Sequence, residues 1–271
     1  MATSSTEARP DGVAARLDGL LAALAYGELE VIGRLIGSSN NAMVVRVHPP
    51  AGPGRGEPAS PTRAQSPSPS PLPPFEAVYK PTLGERPLFD FPAGTLGRRE
   101  VAAYLVSEAT GWGIVPPTVL RDGPFGEGAV QWWAHADPAV DVVAMVVADD
   151  TRLRRVALFD AIVNNTDRKG GHLVPVPGGH VYGVDHGVTF STVPKLRTLL
   201  WAWEGEPLDG GELDVLRRVR DGLSGELGER LGELLSLAEV RATRRRVTGL
   251  LRTGRFPSPS PDWPATPWPP F

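Results

Sequence analysis

Asn164-Asn165-Thr166-Asp167-Arg168-Lys169-Gly170-Gly171-His172, with Val184-Asp185-His186-Gly187 after it, is the densest run of polar chemistry in the sequence. The first segment ends a helical pattern and enters a Gly-rich turn. The second ends a short strand just before Gly187. Asp167 and Asp185 lie 18 residues apart, and an intervening hairpin lets both point into one pocket. Phosphoryl transfer needs such a pair: one carboxylate orients the nucleophile's proton, the other holds a metal that bridges the phosphates. The plainer alternative is two turn aspartates that cap loops.

Working outward, residues 138–149 and 152–165 have helical patterns before this cluster. His172–Val176 and His180–Val184 form a hairpin around Pro177-Gly178-Gly179. Residues 191–203 and 211–252 predict further helices, broken near 222–228. Toward the N-terminus the pattern is richer in strands. Residues 11–25 have apolar residues at helical spacing. Strands at 29–36 and 42–47 flank the turn Gly37-Ser38-Ser39-Asn40-Asn41, which makes a hairpin. A strand at 75–80, a helix at 98–110 ended by Gly111, and strands at 117–121 and 128–133 follow.

The expected architecture is therefore α+β in two lobes, a β-rich lobe over residues 11–134 and a helical lobe over 135–255. Residues 1–10 are expected to be disordered. So is an insertion at 49–74, whose Pro, Gly, Ser and Ala residues cannot bury enough apolar area to offset chain entropy. Residues 256–271 form a Pro-rich tail, expected to be extended or disordered. Clefts between lobes favour ligands.

Composition narrows the chemistry. The chain has 271 residues, 31 acidic against 28 basic, and no cysteine. Cysteine-based zinc and iron–sulfur sites, disulfide scaffolds and thiol nucleophiles are excluded, and a nucleic-acid partner is not expected. No secretory leader and no spanning segment is expected, which makes a cytoplasmic location the default. Only three of the 28 basic residues are lysines: Lys80, Lys169 and Lys195. A lysine retained in so arginine-rich a chain suggests that a compact, flexible ammonium is wanted.

Lys80 ends a strand and can reach nucleotide phosphates if a carboxylate holds it. The 98–110 helix offers Glu100 and Glu108, about 80° apart around the helix axis, and both remain candidates. The backbone of the 37–41 turn, at Ser38 and Ser39, can cover phosphates. His172, His180 and His186 lie within fifteen residues and, with the two aspartates, allow a metal-dependent phosphohydrolase as a second reading. Arg241, Arg244, Arg245, Arg246, Arg252 and Arg255, with Val247, Leu250 and Leu251, make a basic amphipathic helix end. It is either a solvated face or a peripheral contact with anionic lipid.

The order of strand lysine, helix glutamate, D-R-x-x-x-[NH] loop and D-x-G resembles the protein-kinase-like fold. It resembles the phosphatidylinositol 3-/4-kinase-like family in particular, above all type II phosphatidylinositol 4-kinases, their bacterial relatives and an actinobacterial branch. Glu100–Val106, Val115–Thr118, Tyr79-Lys80-Pro81, Gly84–Pro87, Asp90-Phe91-Pro92, Gly94-Thr95-Leu96 and Asp185-His186-Gly187 with Phe190 carry the likeness, which spans residues 28–205. The resemblance implies ATP-dependent phosphotransfer with Mg²⁺ or Mn²⁺. Asp167 and Lys169 would serve catalysis. Lys80, with Glu100 behind it, would contact phosphates, and Gln131, Trp132 and Trp133 would line the adenine pocket. Asp185 would hold the metal, with His172 as a second ligand where the family pattern has Asn. Imidazole suits Mn²⁺ better than Mg²⁺. Lys195 is expected near the transferred phosphate or an acidic acceptor. The acceptor itself is left open among an inositol lipid, a protein and a small molecule. A nucleotide-binding scaffold without catalysis is the alternative.

Overall fold

The computed structural model describes residues 11–35, 41–50 and 72–271. Ser38 and Ser39, residues 1–10 and most of the 49–74 insertion lie outside them.

Helix α1 (Asp11–Tyr26) leads into five antiparallel strands: β1 (Glu28–Arg34), β2 (Met43–His48), β3 (Phe75–Pro81), β4 (Thr118–Gly123) and β5 (Gly126–Trp132). They form one sheet in the order β1-β2-β3-β5-β4. Side chains alternate between the faces of a strand, and β3 shows what this does. Ala77 and Tyr79 point to one face and are fully buried there with Val45, Val47 and Val130, under Ala23 and Leu24 of α1. Lys80 must then point to the other face. Leu72, at the edge of the expected insertion, packs against this same small core.

Helix α2 (Leu96–Thr110) fills the connection between β3 and β4 and ends on Gly111, whose φ of 71° supplies the left-handed cap. Twelve of its fifteen residues are buried, because it lies between the sheet and the helices that follow. Those are α3 (Val142–Val147), α4 (Arg154–Val163), α5 (Gly210–Gly222), α6 (Glu226–Gly232) and α7 (Leu237–Thr253). A hairpin of β6 (Leu173–Pro175) and β7 (Val181–Gly183) sits among them. The main core is made largely by α2, α4, α5 and α7. Capping boxes start α5 at Asp209–Glu212 and α7 at Ser236–Glu239, each satisfying two otherwise orphaned backbone donors. The result is a two-lobed α+β fold, with the five-stranded sheet in the N-terminal lobe and mostly helices in the C-terminal one. Among the described residues no helix is long and apolar enough to cross a membrane.

Three expectations change. Residues 191–203 are not a helix. Pro194 interrupts any helix there, and the backbone of 197–199 is used elsewhere. Arg197 N–H donates to Asn165 O at 2.9 Å, Arg168 N–H to Arg197 O at 3.1 Å, and Leu199 N–H to Arg168 O at 3.2 Å. This stretch therefore runs as a short parallel partner of the Asp167 loop. The 138–149 helix shortens to α3, which Asp141 caps by accepting from Val143 N and Ala144 N. The 256–271 tail is extended and docked: Phe256 is buried, and later residues bond back to the helical lobe.

Candidate active site

The sheet, α2 and the loops after α4 and β7 bring Lys80, Glu100 and Asp185 together. Lys80 Nζ donates to Glu100 Oε1 and, at 2.9 Å, to Asp185 Oδ1. Glu100 Oε2 accepts the backbone N–H of His186 at 2.9 Å, so both of its oxygens are used. It is 2 % exposed. Glu108 is not the partner of Lys80. Gly187 passes close to Leu96 and Glu100, and this close approach brings the D-x-G turn against α2. Burial alone would lower the Lys80 pKa. The Asp185 and Glu100 carboxylates outweigh it and hold the ammonium charged, above the ordinary lysine range. The Lys80 charge in turn holds Asp185 well below the usual carboxylate range. Asp185 takes a left-handed φ of 60°, a conformation Asp tolerates but most residues avoid.

The Asp167 loop is set by the end of α4. Asn164 closes the helix at φ 53°, and its amide donates to Ser191 O at 3.0 Å and Val193 O at 2.8 Å. Asn165 Nδ2 donates to Asp160 Oδ1 at 3.0 Å, while its Oδ1 accepts Asp167 N–H at 3.0 Å. Asp167 keeps a third of its side chain exposed, with Lys169 Nζ 3.5 Å away. Burial raises the Asp167 pKa despite the nearby Lys169 charge, which makes it a better proton acceptor.

His172 Nε2 lies 3.4 Å from Asp185 Oδ2. Burial keeps this imidazole below its ordinary pKa, and its Nδ1 is buried without a hydrogen-bond partner. A neutral ring beside a carboxylate is a chemically suitable pair of metal donors. Asp185 and His172 make only two donors. Among the described residues no group of three or more His, Asp or Glu is placed to hold a metal. A cation here would need oxygens from a phosphate-bearing ligand. His180 stands apart, facing Gly113 O at 2.9 Å and packing edge-on against Tyr182, so the phosphohydrolase reading loses one of its three histidines.

Gln131 is buried and donates to Thr118 Oγ1 at 2.8 Å, so its amide serves the sheet. Trp132 meets Tyr182 of β7 edge-on at 6.0 Å, and Trp133 lies beside His135. Both indoles stand where the chain leaves the sheet for the helical lobe. Lys195 departs from expectation. It is 3 % exposed, pairs with Asp90 and lies over the Phe91 ring at 4.3 Å, so it ties the β3–α2 loop to the helical lobe. A separate cavity of about 680 Å³ between α7 and residues 256–261 is lined in part by Asn164 but by none of Lys80, Glu100, Asp167, Lys169, His172 and Asp185.

Asp160, within α4, is a further charged residue beside the site. It is fully buried and binds the equally buried Arg168, with contacts of 2.9 Å to Oδ1 and 3.0 Å to Oδ2. Arg168 also donates to Val184 O at 2.9 Å, to His172 O at 3.2 Å and, at 2.6 Å, to His186 Nε2. The available signal was a lone acid among the apolar residues of α4, since a buried charge requires a counter-charge.

No protein-family model matches the chain. It is 39% identical over 285 aligned positions to protein Rv2133c of Mycobacterium tuberculosis, an alignment covering 92% of this chain and 95% of that protein. Its fold aligns with the crystal structure of a Helicobacter pylori proinflammatory kinase, CtkA, over 86% of this chain and 94% of that one. The TM-score is 0.48 and the identity 10%.

Proposed function

This chain belongs to the family of protein Rv2133c, and we propose that it is an ATP-dependent phosphotransferase acting on a hydroxyl acceptor, with a site of the phosphatidylinositol 3-/4-kinase-like type. The observation that carries this reading is the Lys80 bridge between buried Glu100 and half-exposed Asp185. A structural ion pair needs one acid. Here a second carboxylate stays open to solvent, beside Asp167 and Lys169. Three carboxylates face two ammonium groups across this cleft, so a bare polyphosphate is a poor match and a cation-neutralised one a good match.

In this assignment Lys80, oriented by Glu100, contacts the nucleotide's phosphates. Trp132 and Trp133 border the base. Asp185 and His172 would hold a divalent cation, which supplies neutralisation of the phosphate charge. Asp167 orients the acceptor hydroxyl and takes its proton as oxygen attacks the γ-phosphorus. The bond from that phosphorus to the β–γ bridging oxygen breaks and ADP leaves. Lys169 faces the group in transit.

Calorimetry with Mg·ATP tests the assignment. Asp185→Ala should abolish metal-dependent binding. Lys80→Ala should weaken it by about 1.5–3 kcal/mol, the scale of one charge-assisted contact. Wild-type-like binding by both variants sinks the site. Binding without turnover on any acceptor marks a nucleotide-binding scaffold instead.

A further inference from the structure

Residues 256–271 lie against the loop that carries Asp167. Gly170 N–H donates to Pro270 O at 2.9 Å. The Phe271 ring fills the space a side chain at 170 would occupy. Thr198 N–H and Trp201 Nε1–H both donate to Ala265 O, each at 3.0 Å. The Trp263 indole lies over the buried Lys195 ammonium at 5.5 Å. These receiving groups all come from two places, the Asp167 loop and the 195–201 stretch that runs beside it.

The position matters because an acceptor must come in line with the transferred phosphoryl group, opposite the departing ADP. This segment is seated on the same loop, at Gly170, three residues after Asp167. Its chemistry matters as well. Seven of its sixteen residues are proline, which lack an N–H, so carbonyl oxygens are its main recognition handles. The groove answers with N–H donors and with aromatic and small surfaces, the way extended proline-rich chains are bound. The two lysines beside the segment are both engaged, Lys195 with Asp90 and Lys169 with Asp167 at 3.5 Å, which leaves an anionic headgroup no uncommitted ammonium there.

We propose that 256–271 is an internal strap over the acceptor groove, and that the acceptor it yields to is a polypeptide in extended conformation. The proposal rests on the phosphotransferase reading above.

The test uses the full chain, a Trp263→Ala/Phe271→Ala double variant and a separate Trp201→Phe variant. Label transfer from ATP is measured to a degenerate peptide library containing Ser, Thr and Tyr, and in parallel to phosphatidylinositol vesicles. Mg·ATP affinity is measured on every protein. Peptide labelling should rise about tenfold in the double variant, the gain expected if the strap holds the groove nine-tenths of the time. Nucleotide affinity should not change. A synthetic peptide of residues 258–271 should reverse the gain by competing with the acceptor and not with ATP. Trp201→Phe, which removes a single donor, should shift labelling in the same direction to a smaller extent and covers the case in which the double variant fails to fold. Unchanged or reduced labelling with intact ATP binding overturns the strap and leaves a structural brace. Labelling of vesicles but not peptides overturns the polypeptide acceptor. Absence of Mg·ATP binding in every protein overturns the nucleotide reading, and this proposal with it.

Discussion

Two charged clusters share the loop between α4 and β6 and are treated in opposite ways. Asp160 and Arg168 are fully buried, and the guanidinium donates to a carboxylate, two backbone carbonyls and an imidazole nitrogen. Asp185 keeps 48% of its side chain exposed and Asp167 33%, and their cleft has more carboxylates than ammonium groups. The first cluster is complete within the protein and determines the loop's shape. The second is held in place, by Lys80 and Glu100 on one side and Asn165 on the other, yet its charges are not all matched. A low-dielectric interior penalises an unpaired charge heavily. Surplus charge is therefore kept where solvent or a ligand can reach it.

Removing one partner from each cluster should expose this difference. Asp160→Ala leaves Arg168 buried without its acid and should cost about 3–5 kcal/mol of unfolding free energy. Denaturant titration measures it, and a loss under about 1 kcal/mol, the range of an exposed pair, would erase the distinction between the clusters. Asp185→Ala, by contrast, should keep most of its stability and lose ligand binding.

A smaller effect concerns His172. If it completes the open cluster as a metal donor, wild-type phosphotransfer or ATPase activity should be higher with Mn²⁺ than with Mg²⁺. His172→Asn offers an amide oxygen, a harder donor, and should narrow or reverse the ratio. Asp167→Ala should be inactive with either metal. A ratio that ignores His172→Asn, with only a stability change, makes His172 a packing residue.

The smallest effect tests another internally completed pair. Buried Arg99 donates to Glu239 at 2.5 Å, and Ser236 donates to the same carboxylate. Burial opposes the Glu239 charge, but these donors more than offset it and hold its pKa below the ordinary 4.5. The unfolded chain then binds the proton more readily, so this contribution is complete above pH 4.5 and is lost as pH falls through the lower folded value. Glu239→Gln should flatten the wild-type stability curve below pH 4.5. Parallel acid titrations of the two proteins check it, and superimposable acid limbs after a constant offset contradict the assignment.

Much of this arrangement could be read in the chain. Alternation along β3 separates Lys80 from Tyr79, and the spacing of α2 leaves only Glu100 and Glu108 as partners for that lysine. Gly111 and the Asn164-Asn165 pair mark where α2 and α4 stop. The 191–203 stretch could not be read this way. Its apolar content suits a helix; Pro194 argues locally against one, but the pairing with residues 165–168 that fixes its extended course lies far off in the chain. Lys195 looked like a phosphate contact because its partner, Asp90, lies 105 positions away.

Local sequence, then, determined most of the elements, their order, and the identities of the residues proposed to act in phosphoryl transfer. Strand alternation, helix caps and turn residues act over a few positions and need no distant partner. Tertiary structure alone decided which charges are completed inside the protein. It chose Glu100 over Glu108, gave Asp160 its arginine, committed Lys195 to Asp90, and laid the proline-rich segment on the Asp167 loop. Each of these depends on which remote groups share a volume from which water is excluded. A buried charge or backbone donor must be satisfied by whatever the fold brings within hydrogen-bond reach, however far away it lies in the chain.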